Sequence, residues 1–569
     1  MPETVNSGNQ QPKEMSMEIR LLLAFLLMGV VMFVTPYIYK TPPAPKKGVS
    51  TSTIAVPAKT APAVPAADAV TLAPPEPALP ATNQQVLPPF VIDTDLFRVA
   101  FSNRGGTVRS WVLKKFKGND DKPLELMNLS ATSEFPFSLY FPGQKPAANV
   151  NWSYFTQTPD PDGLGVSYEF SDGHTLVHKS FRFEKNSYVS RISTEVQIDG
   201  KPVPNLIEWR GGFGDLTVSN PSGANRALYF NATDSKLVEQ SAKTAKDGPV
   251  SSSGNYSFAG IADTYFAAVF LPEGSHSVAQ TTFSDTLRTP LEEKPAAFPG
   301  TAVSDGSVNH FSFFVGPKDL DLLRRVNPQL VEVVNFGWLA FLAKPLFLVV
   351  NWMNDSFVHN FGWAIVLVTI IINIVLFPLR LSQMKSARKM QALKPQIDAL
   401  NDKYKGISMR DPKAGQKQQE QMDLYKKNGV NPMGGCLPSI IQLFLIWPFY
   451  KVFQVAVEMR GASWLWVTDL SQPEHLPIKI LPIVLIVTQF ATQRMMPTPG
   501  TDPSQQKMMM LMPLVFGFMF YSFASGLVLY YLTSNLVMVA QQWFFNHTEA
   551  AQAAARSVQP PPKKKNGRK

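Results

Sequence analysis

The rhythm of apolar and polar positions changes several times along the chain. Leu21 to Val34 is a nearly unbroken apolar run closed by Tyr37 and Tyr39. With its flanks, residues 20–40, it reaches the roughly 20 residues that span a bilayer. No small-x-small site follows promptly, and the aromatic end suits a membrane interface, so the run reads as an uncleaved anchor behind a short N-terminus, residues 1–19. Residues 41–89 are Pro, Ala, Thr and Val with few aromatics, a composition that buries too little surface to offset the entropy of ordering. They read as a linker. Across residues 90–316 the period becomes two: Leu96 to Phe101, Thr107 to Leu113, Ser187 to Ser193 and Ser312 to Val315 alternate between breaks rich in Gly, Pro, Asn and Asp. That pattern predicts a large antiparallel β-sandwich.

The period then lengthens. Lys318 to Phe336 places Leu320, Leu322, Leu323, Val326, Leu330, Val333 and Val334 on one broad face of an amphipathic helix. Gly337 to Met353 is apolar but interrupted by Lys344-Pro345 and short for a crossing. Residues 317–360 therefore read as interfacial helices on the side of the β domain, with a single extra crossing as the alternative. Five spans follow, at residues 361–379, 437–457, 478–493, 508–523 and 527–545. As one helix the last two would run about 57 Å, too long for a single crossing, so Ala524-Ser525-Gly526 is a turn. Residues 380–436 are too long and too charged for a simple turn. There Met390, Leu393, Ile397, Leu400 and Tyr404 recur at coiled-coil spacing and Gln416 to Lys427 supplies a second helix, which predicts a helical hairpin. Residues 458–477 and 494–507 are connecting loops. The expected fold class is a membrane α-helical bundle, an N-terminal anchor plus a five-span core, carrying a large β-sandwich.

Charge orients this arrangement. The net charge is +10, and Lys and Arg crowd into Arg380 to Lys427 and into the tail, residues 546–569, which carries Lys563, Lys564, Lys565, Arg568 and Lys569. Positive-inside bias makes the hairpin, the tail and both termini cytoplasmic, and the β domain and the 458–477 loop periplasmic. The tail also suits anionic lipid or RNA phosphate. The lone Cys436 excludes an internal disulfide framework, and no Cys/His cluster has zinc-site spacing. Gly434-Gly435 lacks the Lys-Ser/Thr of a phosphate loop, and no nucleophile–base arrangement stands out. The expectation is no enzyme, no metal and no cofactor.

Polar residues inside the spans carry the candidate function. Thr369 and Asn373 are four apart in an Ile/Val/Leu helix, with Arg380 seven further on the same stripe. The last span carries Tyr530, Tyr531, Ser534 and Asn535, the third Gln442, and the fourth Thr488, Gln489, Thr492 and Gln493. Singly, such groups join membrane helices through hydrogen bonds worth about 1 kcal/mol. Four helices bringing polar faces together argue for a shared hydrated cavity.

The run Asn431-Pro432-Met433-Gly434-Gly435-Cys436-Leu437-Pro438, Phe377-Pro378-Leu379, and Ser525-Gly526-Leu527-Val528-Leu529-Tyr530-Tyr531 with Ser534-Asn535 closely resemble the YidC membrane insertase family. Asn103-Arg104-Gly105-Gly106 opens a domain that resembles the Gram-negative branch. The resemblance implies a multi-pass protein of the bacterial inner membrane whose β-sandwich, of the galactose-mutarotase type, is a scaffold without sugar chemistry. It implies a hydrophilic groove open to cytoplasm and lipid, nascent membrane proteins as substrates, and the Sec translocon, the ribosome and signal recognition pathway components as partners. The family usually has an arginine where this chain has Asn373. Asn373 still hydrates a groove through donors and acceptors. Arg380 supplies positive charge two turns lower or anchors the helix beside head groups. Two other classes stay open. A solute transporter would show inverted repeats or paired broken helices, of which none is evident, and a structural assembly factor would show neither insertion nor flux.

Overall fold

The computed structural model describes residues 85–118, 121–128, 134–218, 221–274, 277–288, 294–404, 412–429, 437–495 and 503–548. The anchor expected at 20–40, the linker and the basic tail lie outside the described residues.

The period-two runs are strands. Phe97–Ser102, Thr107–Lys117, Val189–Ile198 and Val308–Pro317 take up the alternating stretches except Leu96, Ser187 and Tyr188, which precede their strands, and all four lie in antiparallel ladders. Among the described residues the strands form sheets of four, ten and five. They close on one aromatic core, in which Phe101, Trp111, Phe137, Trp209, Phe270 and Phe313 are buried together, so the domain is a β-sandwich.

The ten-stranded sheet is covered on both faces. From Phe266–Pro272, Phe266, Ala268 and Phe270 point into the sandwich core, while Ala267, Val269 and Leu271 join a second apolar cluster with the helices. This is why Phe266-Ala267-Ala268-Val269-Phe270-Leu271 reads as a continuous apolar run and not an alternation.

The Asn103-Arg104-Gly105-Gly106 motif builds a turn. Gly105 has φ +73°, and a Cβ there would lie 2.4 Å from the Asn151 carbonyl oxygen, so only glycine fits. Its own carbonyl accepts from Lys179 Nζ at 2.6 Å, and Phe137 O accepts from the same ammonium at 2.7 Å. Lys179 is fully buried, and burial pulls its amine down to about 7.

The helical part begins with α1, Leu320–Val326, capped by Asp319. The single amphipathic helix expected over Lys318 to Phe336 is instead two pieces. Asn327, before Pro328, is extended at φ −156° and ψ 124°, and a 3-10 turn, Pro328–Val333, follows. The apolar face continues across the break, with Leu320, Leu323, Leu330 and Val333 all buried in the cluster beneath the sheet. Helix α2, Ala340–Met353, contains Pro345 and meets α3, Phe361–Val375, at a bend of 115°.

Helix α3 gives way at Leu376 to α4, Phe377–Ala392. Pro378 has no N–H to donate into the preceding turn, so the break falls there and shortens the first of the five expected core spans. Helices α5, Lys394–Lys403, and α6, Pro412–Lys427, pack through Leu393, Ile397 and Tyr425, with Lys403 and Tyr404 each 2.8 Å from Glu420. The remaining helices are α7, Leu437–Val455; α8, Ile480–Met495; α9, Pro503–Phe520; and α10, Ser525–His547.

By length and composition no single described helix is long and apolar enough to cross a membrane, although α2 and α3 with their flanks pass together as a bent pair. The outward surface of the helices is nevertheless apolar at helical spacing. Ile480, Ile483, Val484 and Val487 on α8 are exposed, as are Leu511, Leu514, Val515 and Phe518 on α9. Such contiguous stripes, facing out from a bundle whose interior holds polar groups, invert the arrangement of a protein solvated by water.

Lys179→Met keeps the stem but removes the donor from two buried carbonyls. It should destabilise the β domain by about 2–4 kcal/mol, read as a lower thermal midpoint of the purified full chain.

Candidate functional site

The Pro378 break has a consequence one turn later. Arg380, instead of continuing toward the head groups, is buried at 7% exposure inside the bundle. Its Nη2 donates to Gln442 Oε1 on α7 at 3.1 Å. Gln442 Nε2 donates to Ser534 Oγ on α10 at 3.4 Å, and Ser534 Oγ donates to Asn373 Oδ1 on α3 at 3.3 Å. Asn373 Nδ2 then donates to the Thr369 carbonyl at 2.7 Å, while Thr369 Oγ1 bonds back to Ile365 O at 2.6 Å. Four helices are thus linked by one polar chain running from Arg380 to Thr369.

The residues singled out in the sequence divide as follows. Thr369, Asn373, Arg380, Gln442 and Ser534 form the chain. Asn535 is beside it at 2% exposure, and its Nδ2 has no partner among the described residues. Tyr530 is buried and stacks on Phe449 of α7, ring centroids 3.7 Å apart. Tyr531 stacks on Phe520 at 5.0 Å and its hydroxyl is bonded by Gln489, so α8 joins through that contact and not through the chain itself. Gln493 lies one turn further along α8. Lys563, Lys564, Lys565, Arg568 and Lys569 lie outside the described residues.

Sequence reasoning passed over Gln541, whose Nε2 donates to the Asn373 carbonyl at 3.3 Å. Its signal was available: Gln541 is seven residues after Ser534, on the same stripe. Below it Arg388 Nη2 donates to Asn546 Oδ1 at 2.6 Å, which ties α4 to the end of α10.

Electrostatically the site is unbalanced. Among the described residues no carboxylate forms an ion pair with Arg380. Among the described residues one side-chain carbonyl, that of Gln442, accepts from this buried guanidinium, whose five N–H donors suit an incoming acceptor or anion. Among the described residues no cluster of His, Cys, Asp or Glu is placed to hold a metal. Among the described residues the groups brought together here are a guanidinium, amides and hydroxyls, which offer hydrogen bonding and charge within an apolar shell.

Comparison with known proteins follows this division of the chain. The family model for the YidC periplasmic domain matches residues 90–349, and that for the 60Kd inner membrane protein matches residues 352–552. The membrane protein insertase YidC of Geotalea daltonii is 32% identical over 552 residues, covering 93% of this chain and 99% of that protein. That of Cupriavidus pinatubonensis is 33% identical over 475 residues, covering 80% and 82%. A crystal structure of an active YidC insertase with its first transmembrane domain resolved is 21% identical, covers 81% of this chain and 94% of its own, and has a TM-score of 0.37. A galactose mutarotase related enzyme from Lactobacillus acidophilus is 9% identical, with coverages of 40% and 97% and a TM-score of 0.25. With near full-length relatives above 30% identity and both halves matched by the family's models, the chain belongs to the YidC membrane protein insertase family.

Proposed function

We propose that the polar chain from Arg380 to Thr369 is the hydrophilic path by which this protein helps hydrophobic segments of newly made proteins enter the inner membrane. The observation that carries this reading is the buried Arg380, bonded to Gln442 and without an ion-pair partner among the described residues, within helices whose outward faces are apolar. A polar flank crossing hydrocarbon meets a large desolvation barrier. Side chains that reach partway into the bundle replace lost water and shorten the low-dielectric path. The apolar segment then moves sideways into lipid, and its burial, roughly 25 cal/mol per Å², supplies the net driving force.

In this reading Arg380 takes the place of the arginine usual at the position of Asn373. It is the cation toward which an acidic or carbonyl-rich flank is drawn, and Asn373, Ser534 and Gln442 carry its hydrogen bonds deeper. No covalent step is involved, and the protein acts as a chaperone, alone or with the Sec translocon. The α5–α6 hairpin and the basic tail face the cytoplasm, where they meet the ribosome and signal recognition pathway components. Both termini are cytoplasmic, the chain crosses the membrane several times, and the β domain is periplasmic. The charge distribution supports that orientation.

Insertion assays at matched protein levels separate charge from hydration. Arg380→Gln should reduce insertion of a substrate with an acidic flank about tenfold or more, since it removes the only charge in the chain. Asn373→Leu should reduce insertion of acidic and neutral substrates alike, by a smaller factor, through loss of the Ser534 contact. Equal activity of Arg380→Gln and the parent on acidic flanks sinks the reading.

Replacing Lys563, Lys564, Lys565, Arg568 and Lys569 by Gln should weaken ribosome binding and flatten its salt dependence. Unchanged affinity in a salt titration would remove the tail from the cytoplasmic contacts.

A further inference from the structure

The segment between α7 and α8 is held from two sides. On the bundle side it touches the outer ends of three helices. Asn360 Nδ2, at the start of α3, donates to Ser463 O at 2.9 Å, and Gly362 lies so close to Trp464 that a Cβ would meet the ring at 2.2 Å. Glu474 accepts from Trp466 Nε1 at 2.6 Å and from Leu481 N, at the start of α8, at 3.0 Å. Gly526 N donates to Leu470 O at 2.9 Å and Ser525 N to Gln472 O at 2.8 Å, at the start of α10. Residues 456–474 therefore form a cap across the end of the bundle opposite the hairpin.

On the other side the same segment enters the β domain. Val457 belongs to the sandwich core. Arg460 forms an ion pair with Asp215 in which both side chains are nearly excluded from solvent, at 6% and 0% exposure. Its Nη2 also donates to Lys117 O at 2.8 Å, and the guanidinium lies 5.3 Å from the Tyr265 ring. Asp215 is itself fixed, because Asp263 accepts from its N–H at 2.7 Å and Gly214, at φ +91°, leaves no room for a side chain against Asp263.

We propose that Arg460 is a positioning residue through which the β domain holds the 456–474 cap shut, so that the polar chain is closed to water from the periplasmic side. This rests on the polar-path reading, and it assigns the β domain a mechanical part that the polar chain alone does not reveal. Truncating one member of a buried ion pair leaves the other charged and unpaired, which favours local opening. Opening here frees the first turn of α10, about two turns above Ser534.

The test uses the full chain in matched right-side-out and inside-out membrane vesicles, which present the periplasmic and the cytoplasmic face respectively, with Cys436→Ala and Leu529→Cys as a buried reporter one turn below the cap. A membrane-impermeant maleimide is applied from either face. Arg460→Ala should raise labelling from the periplasmic face roughly tenfold, leave cytoplasmic labelling unchanged, and be largely restored by Arg460→Lys. Asp215→Asn approaches the pair from its other side and should behave like Arg460→Ala, so it decides the matter where Arg460→Ala does not accumulate. Unchanged periplasmic labelling, or an equal rise from both faces, overturns the proposal. Insertion by Arg380→Gln in the inside-out vesicles keeps the two ideas apart. Impaired insertion with unchanged labelling in Arg460→Ala would leave the path standing without the clamp, and the reverse pairing would leave the clamp without the path.

Discussion

Burying Arg380 takes a full charge out of water at the place where α3 gives way to α4, and the neighbouring helices are arranged around that cost. Gln442 has to bring its carbonyl oxygen to the guanidinium, which fixes the rotation of α7. Its amide then needs an acceptor, which Ser534 supplies, and this fixes α10 against both. Asn373 completes the sequence on α3. Each bond is modest, about 1 kcal/mol in a membrane setting, but each satisfies a group that hydrocarbon cannot. Helices α3 and α8, of 15 and 16 residues, are apolar but short for a crossing, and α8 with α9 exposes apolar stripes outward.

Much of this was legible in the sequence, because the solvents are distinct enough to print different periods. The alternating runs became strands, and the polar stripes on α3 and α10 met. Two features escaped for local reasons. The amphipathic face of residues 318–336 continues through Asn327-Pro328, so hydrophobic periodicity did not reveal the break that backbone sterics impose. Arg380 lies just past the Pro378 break, and a straight-helix projection does not tell whether its long side chain turns inward or toward the head groups.

A third feature was invisible in principle to pattern reading. Asp215 sits in a glycine-rich loop and Arg460 in a short connector, and each reads as an ordinary exposed charge. Only the fold brings them together, through a sheet that is apolar on both faces and so has helices on one side and sandwich core on the other. Sequence separates the β domain from the bundle by composition, whereas packing fuses them.

That fusion constrains the order in which the molecule can be completed. Asp215 leaves the ribosome long before Arg460, so the β domain must cross the membrane and fold while its carboxylate is still hydrated and its cleft open. Part of that domain's surface becomes dry only when a connector that has not yet been made is packed against it. A chain in which the segment after α7 is misplaced cannot deliver Arg460 to that cleft. Burial of Asp215 thus registers, inside the β domain, that the polypeptide's own later segments have been packed in place.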